Sequence, residues 1–102
     1  MIHVLAIITT KPGLRETVLK ELRAIIPAVH AENGCVEYGP AIDAERAGAV
    51  QTTLGPDVFV IVEKWDTVEA LNAHLAAPHM AVYAEKTKDL VLSRVIHALA
   101  PC

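Results

Sequence analysis

Val58-Phe59-Val60-Ile61-Val62-Glu63-Lys64-Trp65-Asp66-Thr67-Val68-Glu69-Ala70-Leu71-Asn72-Ala73-His74-Leu75-Ala76-Ala77-Pro78-His79 sets two periodicities back to back. The β-branched run Val58–Val62 reads as a buried strand continuing through Glu63-Lys64-Trp65. Asp66 can then act as N-cap, with Glu69 three residues on to complete a capping box. Leu71 and Leu75 mark an apolar helical stripe, and Ala76-Ala77-Pro78 breaks it. The stretch therefore predicts a strand over 58–65 and a short helix over 67–76. Glu63 and Trp65 lie two apart and project from one face of that strand. His74 falls late on the helix and His79 just past the break. Four side chains able to move protons or hold a flat ring are thus gathered where the chain doubles back.

Upstream, Ile2–Thr10 is apolar on both faces, Ile2, Val4, Ala6 and Ile8 alternating with Leu5 and Ile7. Such a strand is covered on both sides. The chain's own helices can form one cover, but the chain is too short to build the second. Thr10-Lys11-Pro12-Gly13 opens a helix, Pro being tolerated in a first turn. Leu14, Val18, Leu22, Ile25, Ile26 and Val29 follow at helical spacing, with Arg15, Glu16, Lys20, Glu21 and Arg23 on the other faces. Pro27 should kink or tighten its last turns, and Asn33-Gly34 should end it. Cys35–Tyr38 begins a second strand, and Gly39-Pro40 marks a bend or bulge. Asp43–Gly48 reads as loop, Val50–Leu54 as a short edge strand, and Gly55-Pro56-Asp57 as a turn. Beyond Pro78, Met80, Tyr83, Thr87 and Leu90 share one face of a further helix. Val91–Leu99 is the last strand, again apolar on both faces.

The order β-α-β-β-α(α)-β predicts an α+β, ferredoxin-like (split βαβ) fold, an antiparallel sheet with helices on one face. At 102 residues a single domain over 1–102 is expected. A chain of this size buries only roughly 60–68% of the surface its unfolded form exposes. Yet 53% of it is hydrophobic and only 4% aromatic, with a mean hydropathy of +0.37. That excess of aliphatic surface predicts a homodimer that buries the uncovered sheet face. The net charge of −3 and the lack of a basic run argue against nucleic acid. No apolar run approaches the ~20 residues that cross a bilayer, and Met1-Ile2-His3 has no basic signal-peptide region. Cys35 and Cys102 have no C-x-x-C spacing, so two free thiols in a reducing cytoplasm are expected.

Thr9-Thr10-Lys11-Pro12-Gly13, Asn33-Gly34-Cys35-Val36-Glu37-Tyr38, and Glu63-Lys64-Trp65 followed by Glu69-Ala70-Leu71, His74 and Pro78-His79 carry a resemblance over nearly the whole chain. The sequence resembles the antibiotic biosynthesis monooxygenase superfamily, in particular its small quinol-monooxygenase-like members. The Glu-x-Trp…His…His arrangement is the most specific part. The resemblance implies a homodimer whose sheets pack face to face as a dimeric α+β barrel, with a pocket between each sheet and its own helices. It implies oxidation of quinols or polyketide phenols by O₂ with no flavin, haem or metal, on a fold that hosts several chemistries. A haem-degrading branch uses a strand-one Asn, a Trp and a helical His ligand. Trp65 matches that Trp, but strand one has no Asn and Met80–Leu90 has no His, which speaks against haem chemistry.

Each candidate has a structural reading beside the functional one. Trp65 is a stacking wall for a flat substrate or a core indole closing the corner. His74 is a general base or a half-buried helix-end His favoured by the dipole; His79 is a base or a helix-start contact. Glu63 orients a His, or is a structural carboxylate that caps backbone or pairs with a Lys. Tyr38 and Tyr83 bind a substrate hydroxyl or pack with a wet hydroxyl. His74 and His79 lack i,i+4 spacing and a third ligand, so no metal site is expected. His3, His30 and His97 read as surface or strand-end residues, and Cys35 as a small buried group.

Together these point to a cofactor-independent monooxygenase acting on a quinol-type aromatic. His74 or His79 is the base, Trp65 the wall, and Glu63 or Tyr38 the orienting group beside an aliphatic cavity. Two other readings stay open: a dimeric module that holds an apolar metabolite unchanged, and a cofactor-free isomerase or lyase using the same His.

Overall fold

The computed structural model describes residues 1–102. Alternating β-branched runs form four strands: β1 (Ile2–Thr10), β2 (Cys35–Ala41), β3 (Val58–Trp65) and β4 (Val91–Leu99). The helices are α1 (Arg15–His30), α2 (Val68–Leu75) and α3 (Pro78–Thr87). The strands form one sheet in the order β2-β3-β1-β4, every neighbouring pair antiparallel. This is the ferredoxin-like α+β arrangement read from the sequence. Register places Leu5 between Val62 and His97, and Ile7 between Val60 and Val95.

Because side chains alternate along a strand, this register sorts the sheet into two unlike faces. Val4, Ala6 and Ile8 of β1 and Phe59, Ile61 and Trp65 of β3 are buried on one face. They meet Val18, Leu19, Leu22 and Val29 of α1, Leu71 of α2 and Tyr83 of α3 in one core. Each aliphatic side chain so buried contributes about 1.5–3 kcal/mol. The opposite face carries Leu5, Ile7, Val58, Val60, Val62, Val95 and Leu99, and no element of the chain lies over it. Leu5 is 37%, Val95 47% and Leu99 46% exposed.

Several boundaries differ from expectation for identifiable reasons. Asp66 does not cap α2: its N–H donates to the Gly34 carbonyl at 2.9 Å, tying the end of β3 to the α1–β2 turn. The cap falls on Thr67, whose hydroxyl accepts from the Ala70 N–H at 3.1 Å. The third helical position is then Ala70, and the capping box with Glu69 cannot form. Gly39-Pro40 does not bend β2, which runs on to Ala41; the irregularity comes earlier, between Cys35 and Glu37. Pro40 is tolerated because β2 is an edge strand. Val50–Leu54 is not a strand. A single 3-10 turn spans Gly48–Val50, and the Asp43 carboxylate accepts from the Leu54 and Gly55 N–H groups, each at 2.9 Å. Those bonds hold Asp43 below the ordinary carboxylate pKa and satisfy backbone that a strand would have paired.

Candidate functional site

β3 delivers Glu63 and Trp65 to the helix-covered face, where Glu63 Oε1 accepts from the indole Nε1–H at 2.9 Å. The Trp65 ring, fully buried, lies against the His74 imidazole with centroids 4.6 Å apart and planes tilted by 34°. Tyr38 of β2 meets the same imidazole edge-on at 5.3 Å. Its position is fixed from behind by His30, whose Nε2–H donates to the Tyr38 carbonyl at 2.8 Å. His74, expected to be half-buried, is 1% exposed.

The carboxylate that orients the imidazoles is Glu32, in the α1–β2 turn. His74 Nδ1 and His79 Nε2 both bond its Oε2, at 2.9 and 2.8 Å. With the carboxylate accepting, those two nitrogens carry protons, so in a neutral ring the lone pair falls on His74 Nε2 or His79 Nδ1. Gly34 makes the turn possible. Its φ is +84°, and a Cβ there would stand 2.6 Å from the Ala70 Cβ of α2. A bare backbone lets the turn press against α2 and hold Glu32 at the two rings.

Burial sets the electrostatics. Glu63, 5% exposed, has its pKa raised mainly by desolvation. The Trp65 N–H and His74 pull it down, and Glu32 pushes it further up. Burial also raises Tyr38, with Glu63, Tyr83 and Glu32 adding to the effect. Tyr83 is raised by burial and opposed by Arg94. Both tyrosine hydroxyls are buried with no hydrogen-bond partner, so the wet-hydroxyl reading is corrected for both.

Three further expectations change. Glu63 holds the indole rather than a His. The expected aliphatic cavity beside Trp65 and His74 is packed shut: neither residue lines any of the four cavities found. The open apolar space is a groove of about 280 Å³ between α2, α3 and β4. Leu75, Met80, Tyr83 and Ala84 line it from the helices, and Arg94 and Ile96 from β4. Finally, a third potential metal ligand does exist. Donor atoms of Glu32, His74 and His79 lie within 4.8 Å of one another, a set able to hold a divalent cation. α3 also starts at Pro78, which brings His79 into its first turn.

Glu32 escaped the sequence reading because nothing periodic marks it. A carboxylate just past a helix C-terminus is electrostatically misplaced, however. That misplacement was the available signal for a donor partner. Arg94 left a comparable one as the lone fixed cation in a largely apolar strand.

A model of the antibiotic biosynthesis monooxygenase family matches residues 1–86. The chain belongs to that family. It is 40% identical over 103 residues to "Probable quinol monooxygenase YgiN" of Escherichia coli K12, covering 99% of this chain and 98% of that protein. Among solved structures, PA3566 from Pseudomonas aeruginosa superposes with a TM-score of 0.82 at 26% identity, over 99% of this chain and 93% of that one. Rv0793 from Mycobacterium tuberculosis gives 0.80 at 24% identity, over 99% and 94%. The last likeness speaks to fold alone, and family membership agrees with the sheet order and helix placement described above.

Proposed function

We propose that this member of the antibiotic biosynthesis monooxygenase family oxidises a quinol-type aromatic with O₂, using no cofactor, as a homodimer. The observation that carries the reading is the His74 ring, set in a full-length relative of a probable quinol monooxygenase. Its face lies on Trp65 and its Nδ1–H is held by Glu32, leaving Nε2 as an oriented base. The substrate occupies the apolar groove against Tyr83. Deprotonation of the phenolic hydroxyl by His74 requires the side chains packed over it, Tyr38 among them, to make way for the substrate. The resulting anion is electron-rich and gives one electron to O₂, and the apolar walls of the groove hold the two reactants together. Glu63 fixes the indole, and His79 shares the Glu32 carboxylate.

Oxygen uptake with menadiol, corrected for autoxidation, tests the activity. The expected result is an excess rate lost in the double variant His74→Ala/His79→Ala. No excess rate, or full activity in that variant, removes the reading. The second reading, a module holding an apolar metabolite unchanged, is favoured by the packing of Trp65 and His74 away from every cavity. Tight binding of a quinol without product would support it.

The uncovered sheet face supports the homodimer. Its aliphatic centre is flanked by a polar pair, Lys64 Nζ and Glu37 Oε2 at 3.3 Å. Sedimentation at micromolar concentration should give two copies; a stable single copy removes this part.

A further inference from the structure

β4 carries one fixed charge, and its register decides where that charge points. Arg94 pairs with Ile8 and Ile96 with Ala6, both on the helix-covered face, so the guanidinium projects into the groove. Its one hydrogen bond runs from Nη2 to Thr87 Oγ1 at 3.3 Å. No carboxylate forms an ion pair with it. A guanidinium has five N–H donors, so most of its capacity is unspent on protein. Thr87 in turn donates to the Tyr83 carbonyl at 2.8 Å, tying Arg94 to the turn of α3 that bears Tyr83.

Tyr83 walls the same groove with its ring. It lines the groove, is 4% exposed, and has a buried hydroxyl with no partner. Buried polar groups without partners are uncommon and costly. Arg94 acts on that same hydroxyl, since its charge opposes the upward push of burial on the Tyr83 pKa. The other groove residues are hydrocarbon or thioether: Leu75, Met80, Ala84 and Ile96 among them. An apolar slot with one unpaired cation matches a specific kind of molecule. The slot, at about 280 Å³, falls just below the roughly 300–1,000 Å³ of drug-sized pockets. It has room for a body of one or two rings.

We propose that Arg94 forms an oxyanion subsite, and that the groove takes an aromatic acid: a flat apolar body bearing a carboxylate. The ring body lies along Met80, Tyr83 and Ile96, and the carboxylate accepts from the guanidinium. The inference narrows the substrate class of the proposed oxidation to quinols with an acidic substituent, and for turnover it rests on that reading. For binding it does not.

The experiment is therefore calorimetry on the full chain with two inert probes of matched shape, 2-naphthoate and 2-naphthamide. Naphthoate should bind at least tenfold more tightly, and the preference should shrink as salt rises. Arg94→Gln should cut naphthoate affinity about tenfold and leave naphthamide unchanged, while Arg94→Lys recovers part of the loss. Arg94 is exposed, so these variants keep the fold. Equal affinity for the two probes, binding of neither, or an unchanged preference in Arg94→Gln overturns the subsite. The titrations consume no oxygen, so their failure leaves quinol oxidation standing, and a failed oxygen-uptake assay leaves the subsite standing.

Discussion

β3 shows two sets of apolar side chains that differ by one position in the chain and by everything in their surroundings. Phe59 and Ile61 are 0% and 4% exposed under α1. Val60 and Val62, one residue on in each case, face outward with no element over them. β1 repeats the contrast, with Ala6 and Ile8 against Leu5 and Ile7. The sequence is as greasy on one side as on the other, yet this fold has helices for one side. Hydrophobic pattern thus states a demand for cover, and topology decides how much of it a chain meets from its own residues.

The largest expected effect tests that contrast on stability. Phe59→Ala should cost about 3–5 kcal/mol in urea unfolding, because it opens a cavity in a packed core. Val60→Ala should cost less than about 1 kcal/mol if its face stays wet. In a dimer the Val60 cost rises, and the unfolding midpoint moves with protein concentration. Equal losses at low concentration would erase the distinction between the faces.

Val60→Asp is the sharper tool. A charge at the centre of the aliphatic face should convert two copies to one in sedimentation, because an unpaired charge is not buried without a heavy penalty. The monomer should keep its far-ultraviolet circular dichroism, since nothing in the helix-covered core changes. A dimer that survives the substitution places the interface elsewhere.

The covered face has its own internal contrast. Its β2 end is closed around Tyr38, Glu63, Trp65 and His74, while its β4 end is an open groove. Gly34 is where the closed end is most vulnerable. Gly34→Ala places a Cβ 2.6 Å from the Ala70 Cβ at φ +84°, and should cost about 1–3 kcal/mol. The same shift moves Glu32, so quinol turnover should fall more than stability alone explains. Normal turnover with a lowered melting temperature would separate Glu32 from the chemistry.

The architecture was legible because it rests on periodicity. The apolar runs of β1, β3 and β4 and the stripe of α1 place three strands and the helix layer, and the excess aliphatic surface flags the uncovered face. What failed were choices made by tertiary hydrogen bonds. Asp66 lost the cap because Gly34 takes its N–H, and Val50–Leu54 lost its strand because Asp43 satisfies that backbone. The site was half legible for the same reason. Glu63, Trp65, His74 and His79 are adjacent in sequence, whereas Glu32 reaches the imidazoles from 42 residues away along the chain.

The smallest effect concerns the one carboxylate on the covered face of β3. Burial raises the Glu63 pKa in the folded state above its unfolded value near 4.3. Between those two values the folded protein binds more protons than the unfolded one, so stability falls as pH rises through the window. Above it, a desolvated charge sits beside the indole. Glu63→Gln keeps an oxygen to accept the Trp65 N–H and removes the charge. The variant should melt roughly 4 °C higher than the parent at pH 7.5, with the advantage fading towards pH 4. The opposite sign would mean that the Glu63 charge is held by His74, which also acts on it and pulls the pKa down. The pH profile therefore decides whether the closed end of the site is a neutral packing unit or one that holds the Glu63 charge.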